Sequence, residues 1–435
     1  MNVRVRLAAG GRTISTVDPF LLVGALAVGA GLLPVFAGYR YGRSLEQDWQ
    51  TAVAACGIGD VTTTNDGGAR TLRATHGALT IVLTPHGWRM RPGTRVAVSG
   101  LAADVELRRR AFAATERSPD PDDTVIGDAA FDAVVVVRAE PLVAHSLLDF
   151  ETRRRLLALV LGHEELGTTG ARFVSLAEGR FVATCPFADI RTRAERLGVL
   201  LRALLVLCDR LARPGEIEER VAENLHEDPL AAVRLRALRA LIDRPGHPVA
   251  RDAVRAALAD ADDEVRWTAA LAAGDEGFPL LRALASDPST EDARAGQAIA
   301  RMGAALGGAE ASRILDAALR DDREQTTVAC LQSPVVASMP ETETRLIAAL
   351  VHANAVVREA AAAALGRVGT AHAVAPLREA ETTDRARART VGEAIASIHA
   401  RLVGADHGQL ALAQPAGELS LAEDARGRVS RAEEQ

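Results

Sequence analysis

Lysine is absent: every basic side chain in the 435-residue chain is arginine. No phosphate-binding Gly-Lys loop can therefore exist, and the one-sided choice of cation reads as a coding bias before it reads as function. Aromatic residues are only 3% of the chain. Its cores must be built from Ala, Leu and Val, small side chains that suit closely packed helices. An excess of positive charge is also missing, since the formal net charge is −6, which excludes nucleic-acid binding by bulk electrostatics. The four cysteines, Cys56, Cys185, Cys208 and Cys330, lie far apart and form no Cys-x-x-Cys pair. Neither a zinc site nor a disulfide framework is expected from such spacing. His-Glu-x-x-His and Gly-x-Ser-x-Gly are absent too. What remains is 48% hydrophobic and 25% charged, ordinary globular composition in a chain long enough for two or three domains.

After an N-terminal segment, 1–19, comes the uncharged run Phe20 to Tyr39. Twenty apolar residues in a helix are about enough to cross a bilayer core. Tyr39 and Tyr41 sit where interfacial aromatics would anchor. A cleaved signal peptide is the rival reading, with Pro34 breaking the helix and Val35-Phe36-Ala37 as a small-residue cleavage site. The length of the stretch and of its leader favours an uncleaved single-pass anchor over 20–39. Arg4, Arg6 and Arg12 on one side nearly balance Arg40 and Arg43 on the other. The side of the membrane that holds the soluble domains is left open.

From 45 to 213 the pattern is mixed. A helix is expected over Leu45 to Cys56, then strands at Val61–Thr64, Ala69–Thr75, Ala78–Leu83 and Arg95–Ser99, with Asn65-Asp66-Gly67-Gly68 as a hairpin turn. Further strands are expected at Ala133–Val137, Ala171–Ser175 and Arg180–Thr184. Helices are expected from Pro141 to Leu161 and from Ile190 to Ala212. Strands clustered ahead of helices argue an α+β domain. Within it, Asp128 and Asp132 of Gly127-Asp128-x-x-Phe131-Asp132 could share a helical face and hold a cation. No further oxygen ligand is spaced nearby, so capping and turn roles are the preferred reading.

Residues 214–402 repeat a two-helix unit. Second helices open on Val233-Arg234, Val265-Arg266, Ala293-Arg294 and Val357-Arg358, with a degenerate copy at Gln325–Leu331 and a last one at Arg387–Ile398. First helices carry the apolar runs Val254–Leu258, Leu280–Leu284, Ile314–Leu319, Leu346–Leu350 and Val374–Leu377. Val265 to Val357 spans three units of about thirty-one residues each, the length of a helical hairpin with short turns. Gly274, Gly303 and Gly366 are placed as helix C-caps. Ser333-Pro334 and Met339-Pro340 predict a less regular turn in one unit. The tail, 403–435, contains Pro415, scattered acids and two apolar islands, Leu410-Ala411-Leu412 and Leu419-Ser420-Leu421, and reads as disordered.

Two resemblances follow. The apolar anchor, Trp49, the Gly127-Asp128-x-x-Phe131-Asp132 stretch and the helix with Leu147-Leu148 and Arg153-Arg154-Arg155 look like an uncharacterised bacterial membrane-tethered domain often joined to helical repeats. The Val-Arg-x-x-Ala-x-x-x-Leu-Gly pattern resembles short HEAT repeats of the phycobilisome-lyase type, which implies an all-α superhelical solenoid. The iron-dependent hydroxylases built on HEAT repeats would need several His-Glu pairs in the array. Only His163-Glu164 and His226-Glu227 occur, at or outside its edge. Arg385, Arg387 and Arg389, and Arg234, Arg236 and Arg239, alternate around their helices rather than forming one basic face. The expectation is a multidomain, membrane-anchored, non-catalytic scaffold that binds protein partners through its solenoid. It uses no cofactor, no metal and no nucleic acid, and no partner-binding or catalytic residue is assigned. The alternative is a lyase-like or assembly-factor activity on a chromophore or other protein client.

Overall fold

The computed structural model describes residues 44–66, 69–86, 93–101, 104–110, 122–162, 172–186, 192–213, 215–383 and 388–403. The expected anchor at 20–39, the turn glycines Gly67 and Gly68, His163-Glu164 and all of the tail after 403 lie outside these residues. No helix among the described residues is long and apolar enough to cross a membrane. The chain divides into two compact units, Met1–Pro245 and Gly246–Gln435.

Unit one is an α+β body. Helix α1 (44–54) leads into four antiparallel strands, β1 (Gly59–Asp66), β2 (Ala69–His76), β3 (Leu79–His86) and β4 (Gly93–Ser99). Next come β5 (Glu106–Arg109), α2 (Ala129–Asp132), β6 (Val135–Arg138), α3 (Pro141–Leu147) and α4 (Phe150–Leu161). The unit continues through β7 (Arg172–Ala177), β8 (Arg180–Pro186), α5 (Arg193–Leu211), α6 (Ile217–Glu227) and α7 (Ala231–Ile242). The strands form one sheet in the order β1-β2-β3-β4-β8-β7-β5-β6, every neighbouring pair antiparallel.

Alternation decides which face is covered. On β3, Leu79, Ile81 and Leu83 are buried while Thr80, Val82 and Thr84 are half-exposed. That is the signature of an antiparallel sheet packed on one side. The buried set joins Val96 and Val98 of β4 and Phe181 and Ala183 of β8 in one core with Trp49 of α1 and Leu197, Leu201 and Leu204 of α5. Each such leucine contributes about 2 kcal/mol of apolar burial. Trp49 satisfies its indole N–H at 2.8 Å on the buried Thr94 hydroxyl, so the polar handle does not oppose burial.

Three local expectations need correction. The helix expected from Pro141 to Leu161 is two helices. Leu148 leaves the helical region at φ −104°, ψ 57°, and Asp149 restarts the chain by accepting from the Thr152 N–H at 2.7 Å. Strand β5 has no counterpart in the sequence reading, because Glu-Leu-Arg-Arg lacks a β-rich pattern and pairs only in tertiary context. Helices α6 and α7, read as the first repeat, fall within unit one and pack on α3.

Unit two is a row of helical hairpins: α8 (Pro248–Ala257) with α9 (Asp263–Ala272), α10 (Phe278–Ser286) with α11 (Asp292–Met302) and α12 (Gly308–Arg320) with α13 (Glu324–Gln332). The last two pair α14 (Thr342–Ala349) with α15 (Ala355–Val368) and α16 (Val374–Thr383) with α17 (Ala388–Val403). The second helices stack side by side, α11 on α13, α13 on α15 and α15 on α17. Small residues permit this approach. Gly366 is not a cap: it lies inside α15, where an added Cβ would stand 2.9 Å from the Ala394 Cα of α17. Gly274 and Gly303 do follow α9 and α11 with φ of 60° and 54°, as helix C-termini favour. The Pro-interrupted unit contains a 3-10 turn, Pro334–Ser338, opened by Ser333.

Candidate functional site

The Gly127-to-Asp132 motif is consumed by structure. Gly127 sits at φ +99°, and a Cβ there would stand 2.7 Å from the Ala232 carbonyl oxygen of α7, so only glycine fits this approach. Asp128 caps α2 by accepting from the Phe131 N–H at 3.2 Å. Phe131 is fully buried. Asp132 accepts from the Ile126 and Gly127 N–H groups at 3.1 and 2.9 Å. Burial pushes the Asp132 carboxyl pKa up, against the pull of those two hydrogen bonds. The two aspartates read as possible cation ligands therefore serve the backbone.

Asp128 has a second task. The guanidinium of Arg153 on α4 is completely buried and pairs with Asp128 at 3.0 Å and with Asp228, in the α6–α7 turn, at 2.8 Å. It also donates to the Leu148 carbonyl at 2.8 Å. Asp228 further accepts from the Leu230 N–H at 3.0 Å. This node binds α2, the α3–α4 junction and α7 together. Nearby His145 is buried, and desolvation with the positive charge of Arg153 and Arg236 lowers its pKa to about 4. Of the run Arg153-Arg154-Arg155 only the first is inside; the other two pair with Glu151 at the surface. Sequence could not single it out, and Asp228 carried no signal at all.

The arginine that recurs in the helical hairpins, α6–α7 of unit one included, staples its own turn. Arg234 donates to the Asp228 carbonyl at 3.0 Å, Arg266 to the Asp260 and Ala261 carbonyls, and Arg358 to the His352 and Ala353 carbonyls. Each is the fourth residue of its helix and reaches back five or six residues, so this arginine serves the fold of its own hairpin. Arg294 is the exception. It is the third residue of α11, about 100° around the helix from the stapling position. It points instead at the preceding hairpin, pairing with Glu264 and lying 5.8 Å from the Trp267 ring centroid. Further along, Asp292 of α11 accepts from the Gln325 and Thr326 N–H groups of α13, and Glu324 of α13 from Asn354. At the opposite helix ends Arg301, Arg367 and Arg401 donate to the Leu271, Leu331 and Gly366 carbonyls.

A groove lies beside Arg294. Between α9 and α11, Arg294 lies over the Trp267 ring. Between them lies a space of about 440 Å³, floored by Trp267, Leu280 and Leu284 and rimmed by Asp263, Asp287 and Glu291. Its volume falls in the range of about 300–1,000 Å³ usual for ligand clefts. Asp287 accepts from the Ser289 hydroxyl and N–H, which holds its pKa below the usual value. No signal in the sequence marked this groove, because its lining is assembled from α9, α10, the α10–α11 turn and α11.

The other sequence candidates carry no site. His226 and Glu227 are exposed at the end of α6. Arg385 and Arg387 lie outside the described residues, while Arg389 is exposed and pairs with Glu393 at 3.5 Å. Arg236 and Arg239 are exposed on α7. The four cysteines are thiols, and burial pushes Cys185, Cys208 and Cys330 up to about 12. Among the described residues no three His, Cys, Asp or Glu side chains come together as a metal site.

No protein-family model matches the chain, and a search among curated proteins finds no match either.

Proposed function

We propose that the protein is a non-catalytic scaffold that binds a protein client on its row of hairpins and is held at a membrane by residues 20–39. The hairpins are read as HEAT-type repeats on the Val-Arg signature and its stapling geometry. The observation that carries the reading is the row itself. Polar side chains at both ends of the second helices, Asp292, Glu324, Arg301 and Arg401 among them, hold neighbouring hairpins together. Such a stack presents a long surface of many small contacts, which suits macromolecular partners better than a single reacting atom. The fold alone does not fix the function, so the groove beside Trp267 supplies the local support.

The test is photo-cross-linking of the full-length chain in cells, followed by solubilisation of membranes. A cross-linker at Ala353 or Ser289 in unit two should capture a discrete partner, and one at Val61 in unit one should not. Capture from Val61 alone would move partner binding to unit one and overturn the scaffold reading. Recovery of the intact protein only in the soluble fraction would overturn the anchor.

A further inference from the structure

We propose that the groove between α9 and α11 docks a basic protein segment, with an apolar side chain on its floor and arginine or lysine heads on its rim. The inference rests on the scaffold reading and names the chemistry of the client. Charge complementarity decides the occupant. The groove has two cations, and both are already paired: Arg266 holds its own turn and Asp263, while Arg294 pairs with Glu264 and, at 3.9 Å, with Glu291, beside the Trp267 ring. The carboxylates face outward. The Asp263 and Glu291 side chains are 83% and 72% exposed although both are paired. Asp287 is exposed as well and accepts from the Ser289 hydroxyl and N–H.

The floor supplies the other half of the recognition. Leu280 and Leu284 are four residues apart on α10, so they share a face, and both remain half-buried. A long basic side chain can lay its methylenes on such a surface and keep its charged head in water at the rim. An acidic segment would meet three carboxylates in the same place. The edge that carries the groove continues along the turns joining the two helices of each hairpin, because Asp292 and Glu324 link the starts of consecutive second helices. Asp321 and Asp322 in the next turn extend the negative rim. Two turns along, Val351 is 85% exposed.

The probe is a fluorescein-labelled synthetic peptide of alternating arginine and leucine, titrated by anisotropy into the full-length protein in non-ionic detergent. The same peptide with glutamate for arginine is the control. The basic peptide should bind, and the control should not. Combining Asp263→Asn, Asp287→Asn and Glu291→Gln should weaken binding at least tenfold, as should raising the salt. These exposed, near-isosteric changes keep the hydrogen-bond acceptors, and Leu284→Ser provides an independent variant that should weaken binding through the floor alone. Equal binding of the acidic peptide, or unchanged binding by both variants, would overturn the proposal. Failure of the groove is separable from failure of the scaffold reading. A partner cross-linked at Val351 that persists in the triple variant would overturn the groove alone, whereas no partner at Val351 or Ser289 would overturn both.

Discussion

Unit one concentrates its polar specificity, and unit two distributes it. In unit one, the fully buried Arg153 is met by two aspartates from different parts of the chain. Arg193 is likewise buried, bridging α5 to Asp48 of α1 at 2.6 Å. In unit two the arginines are partly exposed and mostly hold backbone carbonyls, one hairpin after another. The difference follows from connectivity. A sheet packed with helices has elements far apart in sequence that need a few strong fixed points, whereas each hairpin touches mainly its neighbours and needs the same weak staple repeated.

The strongest way to break this contrast is Arg153→Met. It leaves Asp128 and Asp228 inside without their cation and should cost about 3–5 kcal/mol. Hydrogen exchange should rise across α2, α4 and α7 while the hairpins from α10 onward stay protected. A loss under about 1 kcal/mol would mean the node is not a fixed point. Next in size is Gly366→Ala. Helix propensity alone would favour it by nearly 1 kcal/mol, but the added methyl meets α17, and overpacking should give a net loss of about 1–3 kcal/mol. A net gain in the urea midpoint would show that α15 and α17 can separate freely.

A single staple should matter less. Arg358→Ala frees two turn carbonyls that water can reach, for a loss of about 1 kcal/mol, with faster exchange confined to α14 and α15. The smallest effect concerns pH. Burial opposes ionisation of Asp149, yet hydrogen bonds from Arg210 and Thr152 outweigh it and leave its pKa below the usual value. A carboxyl depressed in the folded state stabilises above its unfolded pKa, and that contribution fades as pH falls through the folded value. The stability gap between the protein and its Asp149→Asn variant should therefore narrow from about pH 6 to about pH 3. A constant gap would assign the role of Asp149 to its helix cap.

Much of the architecture was legible before the structure. Short β-like runs between turn residues located every described strand except β5, and the Val-Arg pattern located the second helices α7, α9 and α15. The less readable parts share one cause. Gly366 looks like a cap from its place at the end of an alanine run, but only the neighbouring α17 shows that it is a contact. Ala293-Arg294 aligns with the other Val-Arg pairs by eye, yet α11 begins so that Arg294 falls one residue early. The groove is lined from three helices and the turn between two of them, and was invisible for the same reason.

Sequence by itself determined the succession of an α+β region and a row of hairpins, because periodicity and turn residues are local and leave a local trace. The tertiary structure decided which aspartates are structural and which arginine of three is buried. It also decided where the hairpins part to leave a groove. Those outcomes depend on partners 25 to 75 residues away, as with Arg153 and its two aspartates, and no local pattern records so distant a neighbour.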